Sequence, residues 1–455
     1  MVISDLHLGE GLGAPKPPHT LELEAALIAF LDHHLQRPLP WRLVVNGDMI
    51  EMTALAISPA SVGLSDGLHP HDHQYGIGAQ SESAELKIRL ILEHHAPVFD
   101  AFARFLAAGH LVSIVFGNHD IELHWPSVQG VITRDLVERA VRQGGDAAVV
   151  ERGFSFHPWF FFEREMAWIE HGHQYDPYCS FEEPLEPATD ETEIDPNLGG
   201  LLPRYVGPRM GDSLHGSWNR GFWGYLQFWF TQGHERVVGI GQAYVDVCRR
   251  MIEHWRARIP ARIEARARRA KARLGRLAER LHLPEELLND LKGLAKAPVS
   301  VDLRRILQAL MVDRLLLLLL GPLLFVLPVV LLPWDRLGYG LAAAAVPLAP
   351  WLWLAAAARE PTDPTDSMRT VARAIRERMR VPFVVMGHSH HPIEELDPTG
   401  GFLNSGHWVP TDRERAFTHV RIERTDLGVR AVLCQWRDGV SRAYGALARQ
   451  PHTTG

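Results

Sequence analysis

The sequence predicts an α/β protein: a sheet-based core, interrupted by a long helical insertion that carries two membrane helices. Three observations predict it. Short apolar runs alternate with amphipathic helical stretches through the first part of the chain and again near its end, the pattern of sheets covered by helices. Asp, Asn or His stand directly behind five of those apolar runs. Between the two parts lie two uncharged runs long enough to cross a bilayer.

The elements follow in order. Residues 1–4 read as a strand fragment, and residues 20–35 as a helix with Leu23, Leu27 and Leu31 on one stripe. Residues 41–46 (WRLVVN) are a short buried strand, residues 82–108 a long helical stretch, and residues 111–116 (LVSIVF) another strand. Residues 135–142 read as a helix, and residues 147–151, 159–162 and 166–170 as strands. Residues 182–196 are acidic and contain proline, a loop composition. Residues 216–229 are rich in Trp, Phe and Gly. Residues 256–283 hold ten Lys/Arg against Glu264 and Glu279 at helical spacing, which reads as a solvated basic helix. Residues 381–386 (VPFVVM) are a strand, and residues 402–409, 417–423 and 429–436 read as strands of one closing sheet. The division is therefore 1–180, first part of the core; 181–310, helical and partly basic insertion; 311–358, apolar hairpin; 359–455, second part of the core.

Composition narrows the function. Lys+Arg number 47 against 54 Asp+Glu, a formal charge of -7, which argues against a basic nucleic-acid coat; nucleic acid is not an expected partner. With 46% apolar and 22% charged residues the chain is globular rather than disordered. Cys179, Cys248 and Cys434 are odd in number and form no CxxC pair, so neither a disulfide framework nor a thiolate zinc site is expected, and a reducing compartment is. The 25 His point to metal, since imidazole is a common ligand. No secretory signal is read at MVISDLHLGE, and Asp5 follows so short a strand that the natural chain is expected to begin upstream.

The chemistry lies in five motifs: Ser4-Asp5-Leu6-His7, Gly47-Asp48, Gly117-Asn118-His119-Asp120, His171-Gly172-His173 and Gly387-His388-Ser389-His390. In α/β sheets, ligands gather at the carboxyl ends of strands, so five such ends can converge. Asp5, His7, Asp48, Asn118, His171, His388 and His390 offer carboxylate, amide and imidazole without thiolate, a set suited to Mn2+, Fe2+ or Zn2+. Seven ligands exceed one tetrahedral site but suit two ions bridged by a carboxylate, roughly 3.5–4 Å apart, the arrangement that clamps an in-line phosphoryl displacement.

In order, these motifs resemble the DxH, GD, GNH[DE], lone His and GHxH series of the calcineurin-like metallophosphoesterase family, over residues 1–176 and 381–436. The resemblance implies a layered α/β/β/α sandwich. It implies a first ion on Asp5, His7, Asp48 and His390, a second on Asp48, Asn118, His171 and His388, and a metal-bridging hydroxide as nucleophile. His119 matches the family's catalytic His, which stabilises phosphoryl charge or protonates the leaving group, and Asp120 would orient its imidazole. His173 is an alternative to His171, which is preferred because it directly ends a strand; His173 then supports the ligands from outside. His407, in Asn404-Ser405-Gly406-His407-Trp408, resembles the loop that follows GHxH in relatives. His69, His71 and His73 read as a solvated loop, with a pocket contact as the alternative, and His94-His95 as structural.

The expected activity is hydrolysis of a phosphomonoester, phosphodiester or pyrophosphate at a membrane. The alternative is a metal-bound membrane scaffold that binds a partner through the insertion; a scaffold needs no leaving-group acid such as His119. Family members that hydrolyse UDP-diacylglucosamine typically carry Arg where His119 stands. His171 and His388 are separated by 217 positions (388 − 171), which leaves room for the insertion. Residues 315–334 and 337–358 are uncharged and flank Asp335-Arg336, and Pro322, Pro328, Pro347 and Pro350 are tolerated better in lipid than in a soluble helix. A buried core hairpin is the competing reading. Four Lys/Arg precede the pair in 295–314, five Arg follow in 359–378, and Arg336 alone stands between, which places both flanks and the catalytic core on the cytoplasmic side. The bilayer is thus an expected partner, and residues 216–230 would sit at its interface.

Overall fold

Two sheets organise the protein, seen in a computed structural model that describes all residues except 10, 11, 13, 14, 36–39, 66, 67, 69, 191, 211–233, 357, 358, 360, 427 and 446–455. In chain order the strands are β1 (Val2–Ile3), β2 (Arg42–Asn46), β3 (Leu111–Val115), β4 (Phe154–His157), β5 (Phe160–Glu163), β6 (Ala167–Glu170), β7 (Phe383–Met386), β8 (Ile393–Asp397), β9 (Gly400–Asn404), β10 (Thr418–Thr425), β11 (Gly428–Arg437) and β12 (Val440–Ala443). The seven-stranded sheet runs β12-β11-β10-β1-β2-β3-β4 and the five-stranded sheet β5-β6-β7-β9-β8. β1 to β4 are mutually parallel, with Val2 beside Val44 and Ile114 beside Phe156, and β6, β7 and β9 are parallel in the second sheet. The fold is mixed α/β, as expected.

Parallel strands buried on both faces read as unbroken apolar runs, and the burial shows why. Val2, Val44 and Val115 of the first sheet meet Phe161, Ile169, Phe383, Val385 and Leu403 of the second in one apolar cluster. The alternate residues Ile3, Leu43, Val45, Val112 and Ile114 face the opposite side, where they pack with helices Pro18–Leu35, Ser81–His94, Ala96–Ala107 and Pro126–Arg142. On the far face of the second sheet, Trp168, Val384, Met386 and Phe402 pack with helices Pro260–Leu281, Glu285–Lys292 and Thr365–Met379.

Several local expectations are corrected. Residues 82–108 form two helices, broken at His95, because Pro97 has no amide hydrogen to continue the first. Residues 147–151 are helical rather than a strand: Asp146 accepts a 2.8 Å bond from the Ala148 amide and caps helix Ala147–Gly153. The last three strands read as one sheet belong to two, with β9 in the five-stranded sheet and β10 and β11 in the other. The basic stretch is helical, with Arg262, Arg268, Lys271, Arg276 and Arg280 exposed as expected, but one face of it is packed. A separate helix, His234–Arg256, ends first, and Pro260–Leu281 then buries Leu274, Leu277 and Ala278. Its buried Arg266 pairs with Glu182 and with Asp195 at 2.8 Å, and Arg269 and Arg273 pair with Glu186 at 3.3 and 2.8 Å. The acidic loop and the basic helix thus neutralise each other.

Residues 312–356 form helices Val312–Leu331 and Trp334–Ala356. Gly340 of the second lies against Pro328 and Leu332, and Gly321 of the first faces Leu348. Asp335 and Arg336 belong to the first turn of the second helix; the chain reverses at Leu332 and Pro333 instead, where proline cannot continue a helix. Among the described residues one helix, Val312–Leu331, is long and apolar enough to cross a membrane, and nearly all of its side chains are unburied. Residues 216–230 lie outside the described residues.

Candidate metal centre

The ends of β1, β2 and β3 in one sheet and of β6, β7 and β9 in the other deliver the motif residues: Asp5 and His7, Asp48, Asn118 and His119, His171, His388 and His390, and His407. The turns that aim them are unusual. Asp5, His7, Asp48, His388 and His390 all have left-handed backbones, with φ of 56, 47, 50, 63 and 58°. Such conformations cost non-glycine residues roughly 1–3 kcal/mol each and cluster where function demands a direction. The glycines beside them have a spatial reason. A Cβ on Gly47 would run into the His171 ring, and one on Gly117 into the Asp48 carboxylate.

The ligand atoms gather in two triads, with a third group, His7, Asp48 and His119, overlapping both. Asp5, His7 and His390 form one: His390 Nε2 lies 3.0 Å from Asp5 Oδ1, and His7 Nε2 lies 3.4 Å from His390 Nε2. Asp48, His171 and His388 form the other, with His171 Nε2 3.1 Å from Asp48 Oδ2. The same Asp48 Oδ2 is 4.0 Å from His7 Nε2, so this carboxylate stands between the triads. All seven residues anticipated from the sequence surround this space or, for Asn118, end the strand beside it.

The donors fit divalent cations. Asn118 Oδ1 is a buried polar atom without a hydrogen-bond partner, a costly state unless something binds it, while Asp5 Oδ1 and His171 Nε2 meet only other candidate ligand atoms, His390 Nε2 and Asp48 Oδ2. The outer atoms, in contrast, are engaged. His171 Nδ1 bonds the Asn46 carbonyl at 2.8 Å, His7 Nδ1 meets Glu51 Oε2 at 3.2 Å, and His388 Nε2 meets Asp176 Oδ2 at 3.1 Å. Carbonyl and carboxylate partners of this kind fix the rings of metal-binding histidines. Asp176 was not singled out from the sequence; its place five residues beyond His171, after the acidic-free turn that ends β6, was the available signal. Asp176, Cys179 and His388 form a further possible group, in which burial and then Asp176 push the Cys179 thiol well above its usual range in the metal-free protein.

His119 lies at the same centre, and its partner corrects an expectation. Glu51 Oε2, not Asp120, lies 2.7 Å from His119 Nδ1. Asp120 instead accepts from the Gly117 amide at 2.6 Å and the Met49 amide at 2.8 Å, tying the β2 and β3 turns together. Its buried carboxyl is raised to about 7, by burial first and then by Asp48. Burial lowers the His119 pKa, but Glu51 and Asp48 outweigh it and lift it to about 10. Glu51 was missed because it sits in Met49-Ile50-Glu51-Met52; a lone acid in an apolar run was its signal.

The other histidines divide clearly. His173 is buried and bonded through Nε2 to Gln174 at 2.9 Å, with its ring 5.5 Å from that of His171, which rather than His173 joins a group that could hold an ion. His407 is buried, with its ring 5.4 Å from that of His390. His95 is structural: Nε2 accepts from the Gly9 amide at 2.9 Å and Nδ1 meets Glu24 at 2.7 Å. His71 is not simply solvated; it packs against Tyr205, ring centroids 5.8 Å apart, while His73 is exposed and His69 lies outside the described residues.

Electrostatics sets an expected pH dependence. Burial lowers the His171 pKa, but Asp48 and Asp5 raise it to about 9, so without an ion this imidazole is charged at neutral pH. An ion must displace that proton. Mn2+ affinity is therefore expected to rise with pH until about pH 9, with proton release on binding. Calorimetry in buffers of different ionisation enthalpy checks this; buffer-independent heats at pH 7 would contradict it. Comparison with protein-family models, curated proteins and solved structures gave no match to this chain.

Proposed function

We propose that the chain is a two-metal phosphoesterase of the calcineurin-like type, built on an α/β/β/α sandwich and tethered to a bilayer by its apolar helix pair. The observation that carries this reading is one carboxylate, Asp48, which belongs to one ligand triad and lies 4.0 Å from His7 of the other, the two triads being built from four strand ends. Asp5, His7, Asp48 and His390 would hold one ion, and Asp48, Asn118, His171 and His388 the other. Such a pair supplies Lewis acidity at phosphoryl oxygens and lowers the pKa of water.

The chain's own residues do the rest. Glu51 grips His119 Nδ1 and fixes the direction of the ring, and Glu51 and Asp48 favour its protonated form in the metal-free protein. The other ring nitrogen, Nε2, would then be the proton donor for a departing alkoxide. The His119 amide donates to Asp48 Oδ1 at 2.8 Å, so proton donor and shared carboxylate are fixed in one frame. This pairing favours an enzyme over a non-catalytic scaffold. The test is purified protein with Mn2+ assayed on p-nitrophenyl phosphate, bis-p-nitrophenyl phosphate and pyrophosphate. Metal-dependent release of phosphate or nitrophenol from at least one is expected; none from any, at full metal loading, rejects the reading.

The membrane part rests on the helix pair. Trp334 is 89% exposed and Trp353 68% exposed, at opposite ends of one helix. They are 19 positions apart (353 − 334), about 28 Å of helix, close to the roughly 30 Å of a hydrocarbon core with aromatic belts at both surfaces. Arg304 lies over the Trp353 ring at 5.8 Å, and Arg359 pairs with Asp313, so charge collects at the end that joins the core. Both helices must cross, since one crossing would part His171 from His388. The full chain is expected to remain in membranes through a carbonate wash. Detergent-free, monodisperse and active soluble protein would reject the bilayer reading in favour of a core or oligomer contact.

A further inference from the structure

We propose that Asp176, Cys179 and His388 form a separate ion site selective for Zn2+, and that an ion held there draws His388 away from the two-metal centre and inhibits it. The site stands on its own geometry; the inhibition rests on the phosphoesterase reading above.

The donors are already gathered. A carboxylate oxygen of Asp176, the Cys179 sulfur and a ring nitrogen of His388 lie within 4.8 Å of one another. Asp176 Oδ2 is 3.1 Å from His388 Nε2. Around a four-coordinate Zn2+, with bonds of about 2.0 Å to nitrogen or oxygen and 2.3 Å to sulfur, neighbouring ligand atoms stand roughly 3.3–3.6 Å apart. Small side-chain shifts therefore suffice to seat the ion. Asp176 and Cys179 are buried, and the His388 side chain is 8% exposed, so little water competes for these donors.

The chain fixes the carboxylate and the thiol on one turn. The Cys179 amide donates to the Asp176 carbonyl at 3.0 Å, and the Tyr178 amide to Asp176 Oδ1 at 2.9 Å. With Oδ1 engaged, Oδ2 is the oxygen left to face His388. The turn is clamped from outside: Asn197 Nδ2 donates to the Cys179 carbonyl at 3.2 Å, and the Gly199 amide to the Tyr178 carbonyl at 3.0 Å. Gly199 sits so close that a Cβ there would collide with Cys179 Sγ. The thiol is thus held in position before any ion arrives.

Selectivity follows from the donors. The two triads of the phosphoesterase centre offer only nitrogen and oxygen, whereas this group adds sulfur, which prefers Zn2+ to Mn2+. No CxxC pair marks it in the sequence, because its imidazole comes from 209 positions away (388 − 179). On binding, the Zn–S bond forms, the S–H bond breaks and the proton leaves to water. The inhibition follows from His388. A neutral imidazole has one lone pair for a cation, and His388 belongs both to this group and to the Asp48–His171 triad. It serves one ion at a time, so Zn2+ beside Cys179 deprives the second ion of the centre of a ligand.

The full chain titrated with Co2+, a coloured substitute for Zn2+, tests the site. A near-ultraviolet thiolate-to-cobalt charge-transfer band is expected, and Zn2+ should abolish it. The band should persist in Cys248→Ser/Cys434→Ser, which keeps Cys179 as its one thiol, and vanish in Cys179→Ser. No band in the wild type or in the double variant, or a band that survives in Cys179→Ser, overturns the site. The inhibition is read on the Mn2+-loaded chain with p-nitrophenyl phosphate, bis-p-nitrophenyl phosphate or pyrophosphate, whichever it cleaves. For the same fractional loss of its own rate, Cys179→Ser should need at least roughly tenfold more Zn2+ than the wild type, the least that losing even a supporting partner of a metal site costs. Far-ultraviolet circular dichroism and an unchanged Mn2+ count show that the variant is folded. Equal Zn2+ sensitivity overturns the inhibition alone. No hydrolysis of any of the three at full Mn2+ loading overturns the phosphoesterase reading and the inhibition with it, while the cobalt band decides the site by itself.

Discussion

An Asp48→Asn variant is expected to lose at least one bound ion and to fall in activity by about 10³-fold or more, beyond the loss of a single transition-state contact. The carboxamide keeps the shape but not the charge. Asp48 Oδ2 lies 3.1 Å from His171 and 4.0 Å from His7, so one triad loses its carboxylate and the other a neighbouring anion. The metal-free protein feels the loss too. The Asp48 carboxyl is held well below its usual range: burial raises it, and His171, His119 and His7 more than offset that. Metal analysis and rate should therefore fall together, with far-ultraviolet circular dichroism retained to show that the fold survives. A variant that keeps wild-type values for both would remove the bridging role.

The second large effect is at His119. His119→Ala should keep its metal content and lose roughly 10²–10⁴ in rate. The loss should shrink for esters with acidic leaving groups, which need no proton. An equal loss for good and poor leaving groups would reassign His119 to charge stabilisation. Glu51→Gln separates holding the ring from donating the proton. Removing the Glu51 charge removes the largest influence that raises the His119 pKa, so the alkaline limb of kcat should move to lower pH. An unmoved limb would show that another group supplies the proton.

The candidate ligands were readable because each motif is local: a strand ends, and the next one to four residues turn into the site. What the sequence could not convey is direction. Asp120 follows His119 directly, yet the β3 turn points its carboxylate back to the Gly117 and Met49 amides, while Glu51, from another strand, reaches His119. Residues 147–151 contain Val149 and Val150, whose β-branching favours strands, but the Asp146 cap decides for helix. The pairing of basic helix and acidic loop was not legible, because its contacts span 71 positions for Arg266 and Asp195. Likewise β9 and β10 are close in sequence but join different sheets, a choice made by the partners each strand meets rather than by its own pattern.

The most direct measurement is electron paramagnetic resonance of the Mn2+-loaded full chain together with its metal count. The account predicts two Mn2+ per chain with an exchange-coupled spectrum, as expected for ions roughly 3.5–4 Å apart that share a carboxylate. It also predicts collapse to an uncoupled six-line signal or to no bound Mn2+ in Asp48→Asn. One ion per chain, or two with isolated six-line spectra in the wild type, would contradict the shared-carboxylate centre.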